Sequence, residues 1–355
     1  MKILHLTTFL DFGGIERKKE NLSAWSDENE WIFVAINKGG VAERQIKNNG
    51  KKTVCLNLPY KIVSLKTIIF LYKFLKKEKP TVLHLAGSEA NFYGTIAGKL
   101  AKTPKIICED WGSDNQSKIA DFIFKYIFRL SDLVIAESTL VANKIIKKYK
   151  LPNHKVKTVF NFIDSKNLDS NLNRNFSKKR SIISVSRLVE KKRIDISLNV
   201  MHRLMKEGHS FKFEILGDGP LLEALKKQSE NLGLSDFVNF QGFVNNPLPV
   251  IQNSDIYLST SNNEGFSNAL LEAMSLGLVS VVTNVGGVED VVIKGENGFI
   301  SDINDEDQIY HNLKKVLNMN DLELQNISNN ALTTIRKNFS LENHINELMK
   351  IYTHS

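Results

Sequence analysis

Only two cysteines occur in the 355 residues, Cys55 and Cys108. They lie far apart, each within an apolar, strand-like run. That excludes a disulfide framework and a thiolate metal centre, and both read as reduced core residues of a cytosolic chain. His-Glu-x-x-His and Cys-x-x-Cys are absent and the eight histidines are scattered, so no metal ligand set is expected. Gly-x-Ser-x-Gly and the P-loop lysine pattern are missing as well. No uninterrupted apolar run approaches the ~20 residues of a membrane-spanning helix. The opening Met1-Lys-Ile-Leu-His-Leu6 is short for a signal-peptide core and reads better as a first buried strand.

What is present is an ordinary globular composition, 42% hydrophobic and 24% charged, long enough for two domains. The net charge of +8 is uneven. Residues 1–170 carry 28 Lys and Arg against 17 Asp and Glu, a net +11; the remainder carries 19 against 22, a net −3. The basic half fits an anionic partner such as a membrane surface, a phosphorylated acceptor or nucleic acid; a solvated lysine-rich surface is the alternative.

Apolar runs of four to six residues alternate with helical stretches. Strands are expected at Lys2–Leu6, Trp31–Ile36, Thr53–Leu56, Thr81–Leu85, Lys105–Cys108, Leu133–Ala136 and Val156–Val159. A second series is expected at Ser181–Val185, Phe211–Leu216, Val238–Gln241, Ile256–Ser259, Ser280–Thr283 and Gly298–Ile300. Such alternation predicts doubly wound parallel sheets, whose ligands lie off the carboxyl ends of the strands. The polar, asparagine-rich Ser165–Arg180 reads as a linker. The expected division is 1–170 and 171–355, two Rossmann-like α/β domains facing a central cleft. In one version the final helix, about 341–355, packs back on the first domain. Two segments, Lys66–Lys79 and Ile119–Leu130, combine bulky apolar groups with cations. Either suits a membrane interface, and the second, apolar nearly all round, reads as buried core.

Four constellations carry chemistry. Gly13-Gly14 follows the first strand and opens a helix, which favours close backbone approach to an anion. Ser186-Arg187-Leu-Val-Glu190-Lys191-Lys192-Arg193 sets four cations just beyond a strand end, where Arg187 could grip a diphosphate with two prongs and Lys192 supply a point charge. A solvated basic turn is the plainer reading. Leu216-Gly217-Asp-Gly219-Pro220 is a tight strand-to-helix turn or backbone exposed to a nucleoside. Ser259-Thr-Ser-Asn-Asn-Glu264-Gly-Phe-Ser-Asn268-Ala-Leu-Leu-Glu272 places two glutamates eight positions apart around a helix start, roughly 12 Å at ~1.5 Å per residue. Each could hold hydroxyls at one end of an elongated nucleotide sugar, with free helix N–H groups on the phosphates between. Alone, the pair could equally be an exposed acid before a core helix.

Taken in order with Asn161-Phe-Ile-Asp164, Gly242-Phe243-Val244, Gly286-Gly287 and Asn297-Gly298, these motifs resemble the retaining glycosyltransferases of family 4, which have the GT-B fold. The resemblance runs over nearly the whole chain. It implies Glu264, Arg187 and Lys192 as the catalytic set. It implies a donor site of Gly14, Arg187, Lys192, Gly217, Gly219, Phe243, Glu264, Gly265, Phe266, Ser267, Asn268 and Glu272, with Glu264 on the sugar and Glu272 on the ribose. It implies no metal and no cofactor, a donor that is a nucleotide-diphosphate sugar, by family frequency UDP-linked, and a saccharide acceptor, commonly lipid-linked, in surface polysaccharide biosynthesis. A cytoplasmic enzyme contacting the anionic inner membrane peripherally fits that role, and nucleic acid is not expected. Three departures stand out. Glu109-Asp110 replaces the family's usual histidine, so Glu109 and Asp110, with His84 and Asn161, are the expected acceptor contacts. Asn161-Phe-Ile-Asp164 stands where Asn-Gly-Val-Asp is usual. Arg193 replaces a glycine, adding charge near the donor. The competing readings are a nucleotide-sugar epimerase on the same fold and a non-enzymatic module binding anionic polymers.

Overall fold

The computed structural model describes residues 1–111, 117–163 and 174–353. It forms two compact units. Unit 1 is Met1–Phe160 with Ile345–Ser355, and unit 2 is Asn161–His344.

Unit 1 holds a seven-stranded parallel sheet: β1 (Lys2–Thr7), β2 (Glu30–Ala35), β3 (Lys52–Cys55), β4 (Val82–Ala86), β5 (Lys105–Asp110), β6 (Leu133–Ala136) and β7 (Val156–Thr158), in the order β3-β2-β1-β4-β5-β6-β7. Unit 2 holds six more: β8 (Arg180–Val185), β9 (Phe211–Leu216), β10 (Val238–Gly242), β11 (Ile256–Ser259), β12 (Val279–Thr283) and β13 (Phe299–Ser301), in the order β10-β9-β8-β11-β12-β13. Every ladder in both sheets is parallel. Each expected strand is present, with ends moved by a residue or two. Strands such as Ile32–Ala35 are buried along their length, because helices on both faces leave no side of the sheet in water. In each sheet the winding reverses once, between β1 and β4 in unit 1 and between β8 and β11 in unit 2. Those reversals open the crevices where doubly wound sheets take their ligands.

Several helices start where the sequence supplies a cap. Ser64, Ser117, Ser138, Ser267 and Asp305 each accept a backbone N–H of the following first turn, and Asn320 with Glu323 forms a reciprocal capping box. Helix Ser88–Ala101 packs closely at Gly94 on leucine side chains of its sheet, which would have to shift for any larger residue. A Cβ on Gly94 would stand 2.2 Å from Leu85 Cδ2 and 3.1 Å from Leu6 Cδ2.

Two expectations change. The expected linker does not extend to Arg180: residues 164–173, with Asp164, lie outside the described residues, but Arg174 is anchored in unit 2. Its guanidinium donates to the carbonyls of Leu276, Gln252 and Ser254, while the Asp255 carboxylate accepts from the N–H groups of Ser177 and Ser181. The polar composition there serves loop ends of the sheet. Secondly, helix Lys118–Leu130 is not buried all round. Phe124, Ile127 and Phe128 enter the core, whereas Ile119, Phe122, Tyr126 and Leu130 face outward. The sheet offers the helix only one side, so its apolar surplus stays in solvent.

Replacing Gly94 by Val is expected to destabilise the protein by about 1–3 kcal/mol through overpacking against Leu85 and Leu6, read as a lower urea midpoint at unchanged slope. Wild-type stability would show that the helix can lift from the sheet at no cost.

Candidate active site

Unit 2 gathers most of the motif residues at its winding reversal. The chain leaving β8 turns through Ser186-Arg187-Leu188 and a helical turn, Glu190–Lys192, into helix Ile194–Lys206. The chain leaving β11 turns through Thr260–Ser267 into helix Asn268–Ser275. These loops are stitched together. Asn262 N–H donates to Lys191 O at 2.9 Å, and Thr260 Oγ1 donates to Arg193 O at 2.7 Å. The result sets Lys192 Nζ 2.6 Å from Glu264 Oε1, a largely buried pair, with Ser261 Oγ donating to the same carboxylate oxygen at 2.6 Å. The Arg187 side chain is exposed and makes no hydrogen bond among the described residues, so its guanidinium is available to a ligand.

Glycines set this geometry by permitting contact that a side chain would block. A Cβ on Gly217, whose φ is +143°, would stand 1.7 Å from Ser186 O, and one on Gly219 would stand 2.3 Å from Leu188 O. Gly217-Asp-Gly219 is thus the floor on which the Arg187 loop lies. Gly286, at φ +58°, plays the same part for the other loop: its Cβ would stand 2.5 Å from Gly265 O and 2.7 Å from Glu264 O. Asn297 is structural too. Buried, it bonds to Ile293 N, Val291 O and Thr334 Oγ1 and closes the turn before β13.

A cavity of about 410 Å³ lies beside Arg187, lined by Val185, Ser186, Leu216, Gly217, Phe243 and Pro247 among others. Its size falls within the range of small-molecule sites, and Phe243 presents a ring that is 64% exposed. On the other side, helix Asn268–Ser275 begins at the glutamate loop. Ser267 Oγ accepts Leu270 N–H at 3.3 Å, and the N–H groups of Asn268 and Ala269 have no partner within the helix. Only half of the span between Glu264 and Glu272 is helical, so the 12 Å reckoned from a continuous helical rise does not apply. Phe266 stacks toward Phe339, with ring centroids 6.1 Å apart, leaving Gly265 and Ser267 as the loop's small members.

Three expectations are corrected in unit 2 and unit 1. Arg193 takes the left-handed conformation a glycine would hold there, φ +49°, but its guanidinium is bonded to Asp195 at 3.0–3.2 Å and to Asn304, so the added charge is neutralised locally. Asn161, expected at the acceptor, instead donates to Asn268 Oδ1 at 3.2 Å, because Ile163 N–H bonds to Phe339 O and holds the segment in unit 2. His84 and Glu109 are interior residues. The Glu109 carboxylate accepts from Lys18, from Lys19 at 3.2 Å and from His84 Nε2 at 3.2 Å, while His84 Nδ1 lies 2.5 Å from the Tyr352 hydroxyl. With their hydrogen-bonding groups used and their side chains sealed, neither offers a direct acceptor contact. Asp110, also expected there, is buried at the end of β5. Gly14 begins helix Gly14–Ser23 after β1, at the winding reversal of unit 1. One Asp-x-Asp does occur, Asp305-Glu-Asp307, and its acids cap a helix and pair with Arg203.

Comparison with known proteins then decides the class. A family model described as Glycosyl transferases group 1 matches residues 165–333, and one described as Glycosyltransferase Family 4 matches residues 30–167. The chain belongs to the family 4 glycosyltransferases. Among its relatives is UDP-Gal:alpha-D-GlcNAc-diphosphoundecaprenol alpha-1,3-galactosyltransferase of Escherichia coli, 24% identical over 84% of this chain and 82% of that protein. Another is the capsular polysaccharide biosynthesis glycosyltransferase CapM of Staphylococcus aureus, 24% identical over 81% and 80%. Among solved structures, Anabaena HepE in complex with UDP superposes with a TM-score of 0.85 at 19% identity, covering 99% of both chains. The lipopolysaccharide outer core galactosyltransferase WaaB does so at 0.80 and 21%, covering 99% and 100%. The fold is GT-B.

Sequence reading of this glycosyltransferase missed Ser261, Thr260 and the Lys18–Lys19–His84–Glu109–Tyr352 cluster. Ser261 stands three residues before Glu264 in a loop, where no helical or strand period links the two. The cluster joins residues up to 268 positions apart.

The cluster makes unit 1 acid-sensitive. Burial pushes His84 down to about 4, aided by the Lys19 charge, so it is neutral when folded. Burial alone would raise the Glu109 carboxyl, but Lys18, Lys19 and the His84 N–H hold it well below its usual range. A histidine with a depressed folded value binds its proton first in the unfolded chain. Its contribution is complete above the unfolded value of about 6.5 and is lost by about 1.4 kcal/mol per pH unit below that. Thermal melts should fall between pH 6.5 and 4, and His84→Gln should flatten that fall. An unchanged pH slope in the variant would contradict the assignment.

Proposed function

We propose that this glycosyltransferase moves a sugar from UDP to a saccharide carried on a lipid diphosphate, with retention at the anomeric carbon, in surface polysaccharide biosynthesis. The observations that carry the donor assignment are the Lys192–Glu264 pair joining the loops after β8 and β11, and Arg187, on the same β8 loop as Lys192, lining a nucleoside-sized cavity. Phe243 and the Gly217 turn form the walls for the base, and Glu272 takes the ribose hydroxyls. Arg187 and Lys192 hold the diphosphate together with the open N–H groups of Asn268 and Ala269. Glu264 and the Gly265–Ser267 loop receive the sugar. The UDP held by HepE, and the diphosphoundecaprenol acceptor named for the Escherichia coli relative, support the choice of donor and acceptor class.

In this reading the paired Lys192 and Glu264 exchange partners on donor binding, Lys192 to phosphate oxygen and Glu264 to sugar hydroxyl. The acceptor hydroxyl oxygen then bonds to the anomeric carbon on the face that the diphosphate leaves. The bond from that carbon to the phosphate oxygen breaks, and the hydroxyl proton passes to the departing phosphate. Two cations, Arg187 and Lys192, stabilise the charge that develops on the diphosphate, and no metal is assigned a role.

Arg187→Ala, Lys192→Ala and Glu264→Ala are each expected to lower transfer at least about tenfold, a loss of about 1.4 kcal/mol of transition-state stabilisation or more, with thermal stability kept in the exposed Arg187 variant and the fold retained in all three. Product should form equally in EDTA. A thermal-shift series over nucleotide sugars should single out a UDP-linked donor, and Phe243→Ala should shrink that shift. Near-wild-type rates in all three alanine variants, or dependence on a divalent metal, would overturn the proposal. Donor turnover without acceptor would favour an epimerase.

A further inference from the structure

Unit 1 carries an unusual concentration of exposed apolar side chains on two helices, Leu65–Glu78 and Lys118–Leu130. Both pack against helix Ser88–Ala101 and send residues into one core, Leu71 and Leu75 from the first, Phe124 and Phe128 from the second. They therefore belong to the same helical layer on one face of the sheet. Each follows a strand, so their first turns lie at the sheet's carboxyl edge.

Most of the exposed groups lie toward those first turns, with Tyr126 and Leu130 further along the second helix. On the first helix and its approach they are Val63, Leu65, Ile69 and Phe70, with Leu65 72% exposed. On the second they are Ile119, Phe122 and Tyr126, with Ile119 73% and Phe122 61% exposed. Residues 119, 122 and 126 fall on one helical face, and the Phe122 and Tyr126 rings meet edge to face at 4.9 Å. Solvent-facing aromatics at this density are costly to leave uncovered.

The charges beside them are of one sign. Lys66, Lys73, Lys76 and Lys77 are exposed on the first helix and make no ion pair among the described residues; Lys118 and Arg129 are exposed on the second. The only acid of each helix is turned to a partner elsewhere in unit 1, Glu78 to Lys2 and Lys52, and Asp121 to Lys148. Among the described residues no helix is long and apolar enough to cross a membrane. Bulky apolar groups for shallow insertion, bordered by unpaired cations and cleared of acids, match an anionic bilayer surface.

We infer that the outer surfaces of helices Leu65–Glu78 and Lys118–Leu130 form one docking face for an anionic phospholipid bilayer. It would hold the carboxyl edge of the first sheet, at the winding reversal between β1 and β4, at the height of lipid headgroups. The inference does not depend on which donor or acceptor the enzyme uses.

The test is co-sedimentation of the full chain with vesicles of phosphatidylethanolamine and phosphatidylglycerol, against phosphatidylcholine alone. The protein should pellet with the first at low salt and stay in the supernatant with the second. Ile119→Asp/Phe122→Asp should weaken pelleting about tenfold or more, and Lys73→Glu/Lys76→Glu/Lys77→Glu should do likewise, each residue near the surface contributing on the scale of one lysine–lipid contact. The substituted side chains are solvent-facing, so melting temperature and the UDP-induced thermal shift should stay as in wild type. Equal pelleting with neutral vesicles, no pelleting at all, or binding insensitive to both variant sets would overturn the inference. So would concentration-dependent self-association in the absence of vesicles that the aspartate variant abolishes, since the face would then be an interface between copies of the chain.

Discussion

The active-site region rests on backbone contacts that only glycine allows. Where β8 and β11 lie side by side, the loops leaving their carboxyl ends bring Lys192 against Glu264 and set Arg187 beside the cavity. Gly217 and Gly219 let the Ser186–Leu188 backbone sink onto the turn after β9, and Gly286 lets the Glu264–Gly265 backbone rest on the turn after β12. A single methyl at Gly217 would drive into a carbonyl oxygen and push the Arg187 loop away. The two functional loops are thus held from below by turns that need contribute no side chain to a ligand.

Electrostatics complete what the backbone begins. Like charges and unpaired ions are expensive to bury, and here Lys192 is balanced by Glu264, whose carboxylate also accepts from the Ser261 hydroxyl. Arg193 shows the same economy: a cation standing at a left-handed position is bound by Asp195 and Asn304 and leaves the local charge unchanged. In unit 1 the balance is interior. Glu109 is stabilised by two lysines and a neutral histidine, and the Tyr352 hydroxyl closes the far side of that histidine. This polar core ties the C-terminal helix residues into the first sheet, and it accounts for acids in a place where solvent-facing acceptor contacts would otherwise be read.

The two units divide their surfaces by chemistry. Unit 2, nearly balanced in charge, sets Arg187, Lys191 and Lys192 on the loop after β8, with Arg187 lining a cavity. Unit 1 carries the excess of positive charge and spreads it over helix surfaces that also expose aromatic and aliphatic groups. The first arrangement suits a small, doubly charged diphosphate, and the second an extended anionic surface.

The alternation of short apolar runs with helical segments determined the doubly wound architecture and all thirteen strands, because buried parallel strands must be apolar along their length. Local pattern also singled out Arg187, Lys192 and Glu264 as candidates, since each stands in a loop after a strand, whereas Glu272 lies inside helix Asn268–Ser275 and its assignment to the ribose came from the family resemblance. Tertiary structure alone decided the rest. The winding reversal that unites the loops after β8 and β11 depends on strand order, which no local period encodes. The burial of His84 and Glu109 depends on lysines about ninety positions away and on a tyrosine near the C-terminus. The outward face of helix Lys118–Leu130 depends on how much of its circumference the sheet can cover. Sequence shows that this helix is apolar, and only the packing shows which part of it stays in water.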